Sequence, residues 1–128
     1  TEILLRQEPN HILGMITTLV SGRWERGENF LQTAIRELKE ETGYDVDSSK
    51  FREIGSVFYS KIQLPADIIY LVSITNEQQN EPSTDGTTNE KLSSNIWIGI
   101  NDLKKLILTS SDGTLLSACS KLLILLEN

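Results

Sequence analysis

A glycine-rich loop followed by an acidic helix, between Gly22 and Tyr44, constrains this chain more than any other stretch. The spacing of Glu37, Glu40 and Glu41 brings three carboxylates together, because residues three and four apart are neighbours on a helix. The apolar residues of the same helix centre about 100° away around its axis. They are Leu31, Ala34, Ile35 and Leu38. The sequence therefore predicts a helix with one buried flank and a carboxylate patch beside it.

This carboxylate patch does not stabilise the helix. Like charges one turn apart cost about 0.2–0.5 kcal/mol per pair, and two carboxylates about 6 Å apart in a cleft repel by roughly 3 kcal/mol at an effective dielectric of 20. A hard divalent cation reverses the balance, since Mg²⁺ prefers oxygen ligands and bridges carboxylates to substrate phosphates. A solvated acidic helix face is the alternative, and Glu40 and Glu41 taken alone favour it.

The fixed residues of the whole stretch follow one pattern. Gly22 is followed after five residues by Glu28, and after seven more by the run RELKEETGY, residues 36–44. This pattern resembles the Nudix box, the signature motif of the Nudix hydrolase family, at every fixed polar and glycine position. The departure is Tyr44, where the box usually ends on an aliphatic residue. The motif covers about a sixth of the chain, and its many fixed positions make the resemblance specific.

The resemblance implies a fold and a reaction. The implied fold is α/β, an α/β/α sandwich with a mixed β-sheet, and residues 1–128 are expected to form one such domain. The implied reaction is hydrolysis of the pyrophosphate in a nucleoside diphosphate linked to another moiety, with Mg²⁺ as cofactor and Mn²⁺ as a substitute. In physical terms, the metal neutralises pyrophosphate oxygens and orients water for in-line attack on phosphorus.

The resemblance also implies roles for individual residues. The implied metal ligands are the carbonyl of Gly22 and the carboxylates of Glu37, Glu40 and Glu41. Glu28 and Arg36 are expected to brace the loop against the helix. The general base would be Glu40, Glu41 or an acid on a downstream loop, for which Glu90 is the candidate because it shortly precedes a predicted strand. A solvated loop charge is the alternative reading of Glu90.

Four further residues are candidates for substrate contacts. Arg6 is a candidate for substrate binding. Arg23, like Arg26, could meet a phosphate, although a solvated surface position suits it at least as well. Trp24 is predicted to cover the core, with stacking on a base as the alternative. Tyr59 is interpreted as a half-buried strand residue, with a substrate contact as the alternative.

The sequence around the box bears on the substrate. Residues 5–7 and 19–22 resemble the ADP-ribose and nucleotide-sugar pyrophosphatases, which favours such a substrate. Those enzymes usually carry one proline at the entry to the box, where this chain has Val20, and another on a later loop, where the nearest is Pro65. Nucleoside triphosphates and diadenosine polyphosphates are therefore alternatives. A nucleotide-binding regulatory module without activity is a further alternative, which the retained box glutamates disfavour.

Hydrophobic patterns and turn residues predict the remaining elements. Strands are predicted at 2–7, 12–20, 51–59, 67–75 and 96–100, with the strand at 67–75 central in its sheet. Helices are predicted at 29–42, 102–108 and 113–127. The last helix is expected to bury Leu115, Leu116, Leu122, Leu123 and Leu126. Glu28 or Asn29, Asn101 or Asp102, and Asp112 are the expected caps. A turn is predicted at 8–11 and a long polar loop at 76–95.

Composition limits the partners and the compartment. The net charge of −6 argues against non-specific nucleic-acid binding, which requires a basic face. The sequence has no apolar run typical of a membrane span, and a single cysteine, Cys119, excludes a disulfide framework. We therefore expect a cytoplasmic protein with a small nucleotide substrate. Related pyrophosphatases are often dimers, so a homodimer is one expectation. The start at Thr1 suggests processing or a missing N-terminal piece.

Overall fold

The computed structural model describes residues 1–58, 65–75, 79–80 and 92–127. The strands of this part are β1 (Glu2–Asn10), β2 (Gly14–Thr18), β3 (Phe51–Phe58), β4 (Pro65–Val72) and β5 (Ser94–Gly99). The helices are α1 (Phe30–Thr42), α2 (Ile100–Thr109) and α3 (Gly113–Glu127), and a 3₁₀ turn covers Ser48–Lys50.

Strand β1 lies between β2 and β5, and both pairings are antiparallel. Ile3 lies opposite Ile98, and both pack against a buried cluster on α2 and α3. That cluster consists of Leu103, Leu115 and Cys119. Because successive side chains of a strand alternate between the two faces, the next residues along β1 and β5 point away from these helices. The residues of this second face are Leu4, Arg6, Asn95 and Trp97.

Helix α1 lies against the second face of this sheet. The side-chain amide of Asn95 donates a hydrogen bond to the carbonyl of Thr42 at 3.1 Å. The rings of Tyr44 and Trp97 meet edge to face, with centroids 6.0 Å apart. Helices therefore cover both faces of the sheet, in agreement with the predicted α/β/α sandwich. Strands β3 and β4 form a separate antiparallel pair that contacts α3.

The first turn lies later in the chain than predicted. Strand β1 continues through Pro9 to Asn10, so the prediction of a turn at 8–11 is wrong. The pairing of β1 with β5 ends at Gln7. Beyond Gln7, β1 pairs only with β2 within the described residues. A proline, which lacks the backbone N–H, is tolerated at such an edge. The turn follows Asn10, whose side-chain oxygen accepts from the N–H groups of Ile12 and Leu13.

Three other predictions differ from the structure. Helix α2 begins at Ile100 directly after β5, with Gly99 rather than Asn101 or Asp102 at its N-cap. In the part of the chain described, β4 pairs only with β3, so its predicted central position is not observed. Leu126, predicted to be buried, is 45% exposed at the end of α3. The predicted cap of α3 is confirmed, because Asp112 accepts from the N–H groups of Thr114 and Leu115.

Gly43 ends helix α1 in a backbone conformation that favours glycine. Its φ is 85°, and its N–H donates to the carbonyl of Lys39 at 2.9 Å. Its own carbonyl accepts from the N–H of Asn80, and a Cβ at Gly43 would collide with the Asn80 carbonyl. Both the left-handed conformation and the close approach of a second segment therefore require a residue without a side chain.

We expect Gly43→Ala to lower the free energy of unfolding by at least about 1–2 kcal/mol, the cost of a left-handed alanine, because the collision adds to it. Urea unfolding followed by circular dichroism measures this change. Gly113→Ala is the matched control, since nothing lies within 4 Å of a Cβ there and its φ is not positive. Equal stability of the two variants would contradict the role assigned to Gly43.

Candidate active site

Local sequence signals determine where helix α1 begins and ends. The side chain of Asn29 accepts from the N–H of Gln32, and the side chain of Gln32 accepts from the N–H of Asn29, each at 2.8 Å. This reciprocal capping box confirms Asn29 as the N-cap. Leu38 is buried on the apolar flank, and the glutamates of the helix lie beside that flank as the spacing predicts.

Arg36 and Glu28 connect the helix to the preceding loop through a two-point fork. Arg36 Nε donates to Glu28 Oε2 at 2.8 Å, and Nη2 donates to Oε1 at 3.1 Å. Thr33 donates its hydroxyl to the same carboxylate, and Arg36 Nη2 also reaches the carbonyl of Arg23 at 3.0 Å. The guanidinium holds the pKa of Glu28 down at about 2. Glu28 is therefore ionised at any pH where the protein would work, and the loop stays attached to the helix.

The remaining nitrogen of Arg36 contacts three other carboxylates. Nη1 donates to Glu37 at 2.9 Å and to Glu40 at 3.1 Å, and lies 3.6 Å from Glu25. Charge-assisted bonds of this kind are about twice as strong as neutral ones. One guanidinium thus partly neutralises the patch on the side that faces the loop.

Glu41 lies on the far side of the patch, next to the sheet. Its Oε2 accepts from the N–H of Ser21 at 3.4 Å. Burial raises the pKa of Glu41 to about 7, the negative charge of Glu37 adds to the rise, and the charge of Arg6 opposes it. Burial also raises the pKa of Glu37. Glu37 and Glu41 are therefore both partly desolvated and close enough to repel each other, and of the two only Glu37 is paired with Arg36.

Gly22 provides the space that Glu37 occupies. A Cβ at Gly22 would coincide with the side-chain carboxyl group of Glu37, so that group lies directly against the loop backbone. A glycine at this position lets the acid and the backbone of the loop approach each other.

The carboxylate and carbonyl oxygens of this site are the kind of atoms that bind a hard divalent cation. Carboxylate and carbonyl oxygens are the ligands that Mg²⁺ prefers, and Glu37 and Glu41 carry buried charge that a cation would compensate. Among the residues described, however, no three histidine, cysteine or acidic side chains converge into a group that could hold an ion. Glu37 and Glu40 are turned toward Arg36 instead.

Arg6 and Asn95 face this patch from the sheet. Arg6 is only 5% exposed and donates through Nη1 to the side-chain oxygen of Asn95 at 2.7 Å. Asn95 in turn donates to the carbonyl of Thr42, the neighbour of Glu41. Arg6 is a predicted candidate, whereas sequence reasoning missed Asn95. Only the register of β1 against β5, which places the two residues opposite each other, identifies it.

The other candidates lie elsewhere or outside the described residues. Trp24 is 54% exposed, and its indole N–H donates to the carbonyl of Glu28 within its own loop. The prediction that Trp24 covers the core is therefore wrong, because a polar contact holds the ring at the surface. Arg23 is exposed and contributes its carbonyl to Arg36. Tyr59 and Glu90 lie outside the described residues.

The fold and the site define a class of protein: an α/β/α domain whose glycine-rich loop leads into a helix of ligand-type carboxylates. The family model of the NUDIX domain matches residues 1–119, and the chain therefore belongs to the Nudix hydrolase family. The predictions of family and fold class are confirmed.

The described residues include no helix with the length and apolarity needed to cross a membrane. A cytoplasmic location, a single domain and a homodimer stay predictions.

Two individual proteins are similar to this chain. Over 55 residues the chain is 49% identical to the NAD-capped RNA hydrolase NudC of Vibrio atlanticus (strain LGP32), a match to 43% of this chain and 19% of NudC. The match thus spans about a fifth of that relative's length. A structure from a study of MutT from Aliivibrio salmonicida and Vibrio cholerae aligns with a TM-score of 0.60 at 24% identity, over 81% of this chain and 73% of that chain. At this identity the likeness shows the fold alone.

The raised pKa of Glu41 predicts how stability changes with pH in metal-free protein. Between its ordinary value of 4.5 and about 7, the folded state binds more protons at Glu41 than the unfolded state does. The contribution of Glu41 to the free energy of unfolding therefore falls as pH rises through this window and is constant above it. We expect Glu41→Gln to remove this contribution, so that the variant gains stability relative to the native chain between pH 5 and pH 8.

Urea unfolding in the presence of EDTA, at pH 5 and at pH 8, measures this difference. Glu127→Gln, an exposed carboxylate at the end of α3, is the control and should follow the native chain at both pH values. If Glu41→Gln showed the same dependence on pH as the native chain, the buried charge of Glu41 would have no energetic consequence.

Proposed function

We propose that this chain is a divalent-metal-dependent Nudix pyrophosphohydrolase. The observation that carries the proposal is the half-buried pair Glu37 and Glu41, whose charges repel and of which Arg36 pairs only with Glu37. A folded protein retains such a destabilising arrangement where function requires it. Mg²⁺ is the proposed ion, with Mn²⁺ as a substitute, because every donor is an oxygen atom.

Four residues would hold the metal. They are Gly22, through its carbonyl, and Glu37, Glu40 and Glu41, through their carboxylates. When bound, the ion supplies charge neutralisation of the pyrophosphate and a water of lowered pKa. Arg36 keeps its fork to Glu28 in this proposal, so that the loop carrying Gly22 stays in place beside Glu37.

A carboxylate would accept the proton of the attacking water. Glu41 is the preferred candidate among Glu40, Glu41 and Glu90, because Arg36 Nη1 donates to Glu40 at 3.1 Å, whereas the hydrogen bond described for Glu41 comes from the N–H of Ser21. Arg6 is the proposed phosphate contact on the sheet, since its side chain lies on the face that covers α1 and its charge acts on Glu41.

The proposed substrate is a nucleoside diphosphate linked to another moiety, with ADP-ribose or a nucleotide sugar favoured by the sequence around the box. The similarity to NudC, an NAD-capped RNA hydrolase, supports this class, because an NAD cap is a dinucleotide joined through a pyrophosphate. Nucleoside triphosphates and diadenosine polyphosphates are the alternative substrates, and a nucleotide-binding regulatory module is the alternative without activity.

A panel of substrates distinguishes these possibilities. ADP-ribose, UDP-glucose, an NAD-capped oligonucleotide, diadenosine tetraphosphate and dGTP would be incubated with Mg²⁺ and the products separated by chromatography. We expect the diphosphate-linked compounds to be cleaved fastest. Cleavage of dGTP alone would contradict the proposed substrate class, and binding without any product would identify a regulatory module.

We expect Glu41→Gln to lower kcat at least about a hundredfold, because the variant loses a proposed metal ligand and the preferred base. Steady-state kinetics on the best substrate of the panel measures kcat, and calorimetry with Mn²⁺ measures metal binding. Circular dichroism establishes that the variant is folded, and Glu127→Gln serves as the control substitution. Near-normal Mg²⁺-dependent turnover by Glu41→Gln would refute the metal assignment.

A further inference from the structure

Trp97 exposes a large aromatic surface on the same face of the sheet as the proposed site. It lies opposite Leu4 in the pairing of β1 with β5, one same-face position along β5 from Asn95. Arg6 lies opposite Asn95, so Trp97 and Arg6 are diagonal neighbours on adjacent strands. Diagonal neighbours of this kind are about 7–8 Å apart, within reach of long side chains. Despite this position inside the fold, 39% of Trp97 is exposed.

The ring of Trp97 is held in a defined orientation. Tyr44, just after the end of α1, contacts it edge to face with an interplanar angle of 90°. Aromatic pairs in this geometry are attractive beyond the area that they bury. The indole is therefore held against the end of the box by Tyr44, while 39% of the residue stays exposed.

Arg6 provides a positive charge beside this ring. In the part of the chain that the structure describes, its one hydrogen bond goes from Nη1 to Asn95, and no buried polar side-chain atom lacks a partner. The charge of Arg6 is thus held on the sheet face that carries Trp97, although the residue as a whole is almost completely buried. A fixed aromatic surface next to a fixed cation matches the two parts of a nucleotide, its base and its phosphate.

We propose that Trp97 is the surface on which the base of the nucleotide substrate stacks, while Arg6 meets a phosphate. This inference rests on the proposed function and adds a substrate-binding residue to it. Asn95 uses its oxygen for Arg6 and its amide nitrogen for Thr42, so its side chain is committed to the protein and does not read the base. Recognition by Trp97 therefore tolerates different bases, because every base has a stacking face.

Tryptophan fluorescence tests the proposal directly, because the chain contains only Trp24 and Trp97. Trp24→Phe leaves Trp97 as the reporter, and Trp97→Phe leaves Trp24. Each variant would be titrated with AMP and with ribose 5-phosphate in the presence of Mg²⁺. We expect AMP, but not ribose 5-phosphate, to change the emission of Trp24→Phe in a saturable manner and to leave the emission of Trp97→Phe unchanged. A saturable change confined to Trp97→Phe would overturn the proposal.

Kinetics provide a second readout that a purely structural role would not give. Base stacking changes affinity by roughly 5- to 150-fold. We expect Trp97→Ala to raise KM within this range on the best substrate, with kcat changed less than about threefold, and Trp97→Phe to restore most of the affinity. Leu108→Ala, an exposed residue on α2, is the control.

The outcomes separate this inference from the proposed function. Hydrolysis with unchanged KM in Trp97→Ala, together with a silent Trp97, would overturn the stacking role and leave the hydrolase intact. A base-dependent response of Trp97 in a protein that forms no product would retain the stacking role and refute the hydrolase.

Discussion

The guanidinium group of Arg36 allows the acidic helix and the preceding loop to pack against each other. Its fork to Glu28, at 2.8 and 3.1 Å, attaches the loop to the helix, and its third nitrogen holds Glu37 and Glu40. With this cation in place, the loop can bring Gly22 directly against Glu37. Removal of Arg36 would leave four neighbouring carboxylates without their shared counter-charge, so both the loop and the helix flank depend on it.

Arg36 does not neutralise the negative charge on the sheet side of the patch. Glu41 is half-buried there beside Glu37, and the opposing charge that acts on it comes from Arg6 on β1. The helix tolerates this arrangement because its stability has other sources: the reciprocal cap at Asn29, Gly43 at its end and the buried Leu38 on its apolar flank. Structural and functional demands are thus separated around the circumference of a single helix.

The sequence predicts features that depend on residues close together in the chain better than features that depend on residues far apart in it. Helix α1 and the Asp112 cap depend on residues within four positions of one another, and both agree with the sequence patterns. The sequence does not show that Pro9 lies in a strand, because its place there depends on where the pairing with β5 ends. The prediction that Trp24 covers the core is wrong because one hydrogen bond to Glu28 keeps the ring at the surface. Asn95 has no local signal, since its partner Arg6 is 89 residues away.

The same distinction explains why the sequence predicts the class of chemistry better than the substrate. The proposed metal ligands come from one continuous segment, where spacing alone brings them together. The proposed contacts to phosphate and base, Arg6 and Trp97, come from two strands whose register only the folded chain sets. A change of residue in β5 would therefore alter the affinity for the nucleotide and leave the carboxylate patch untouched. Chains that share the box can in this way differ in their substrates.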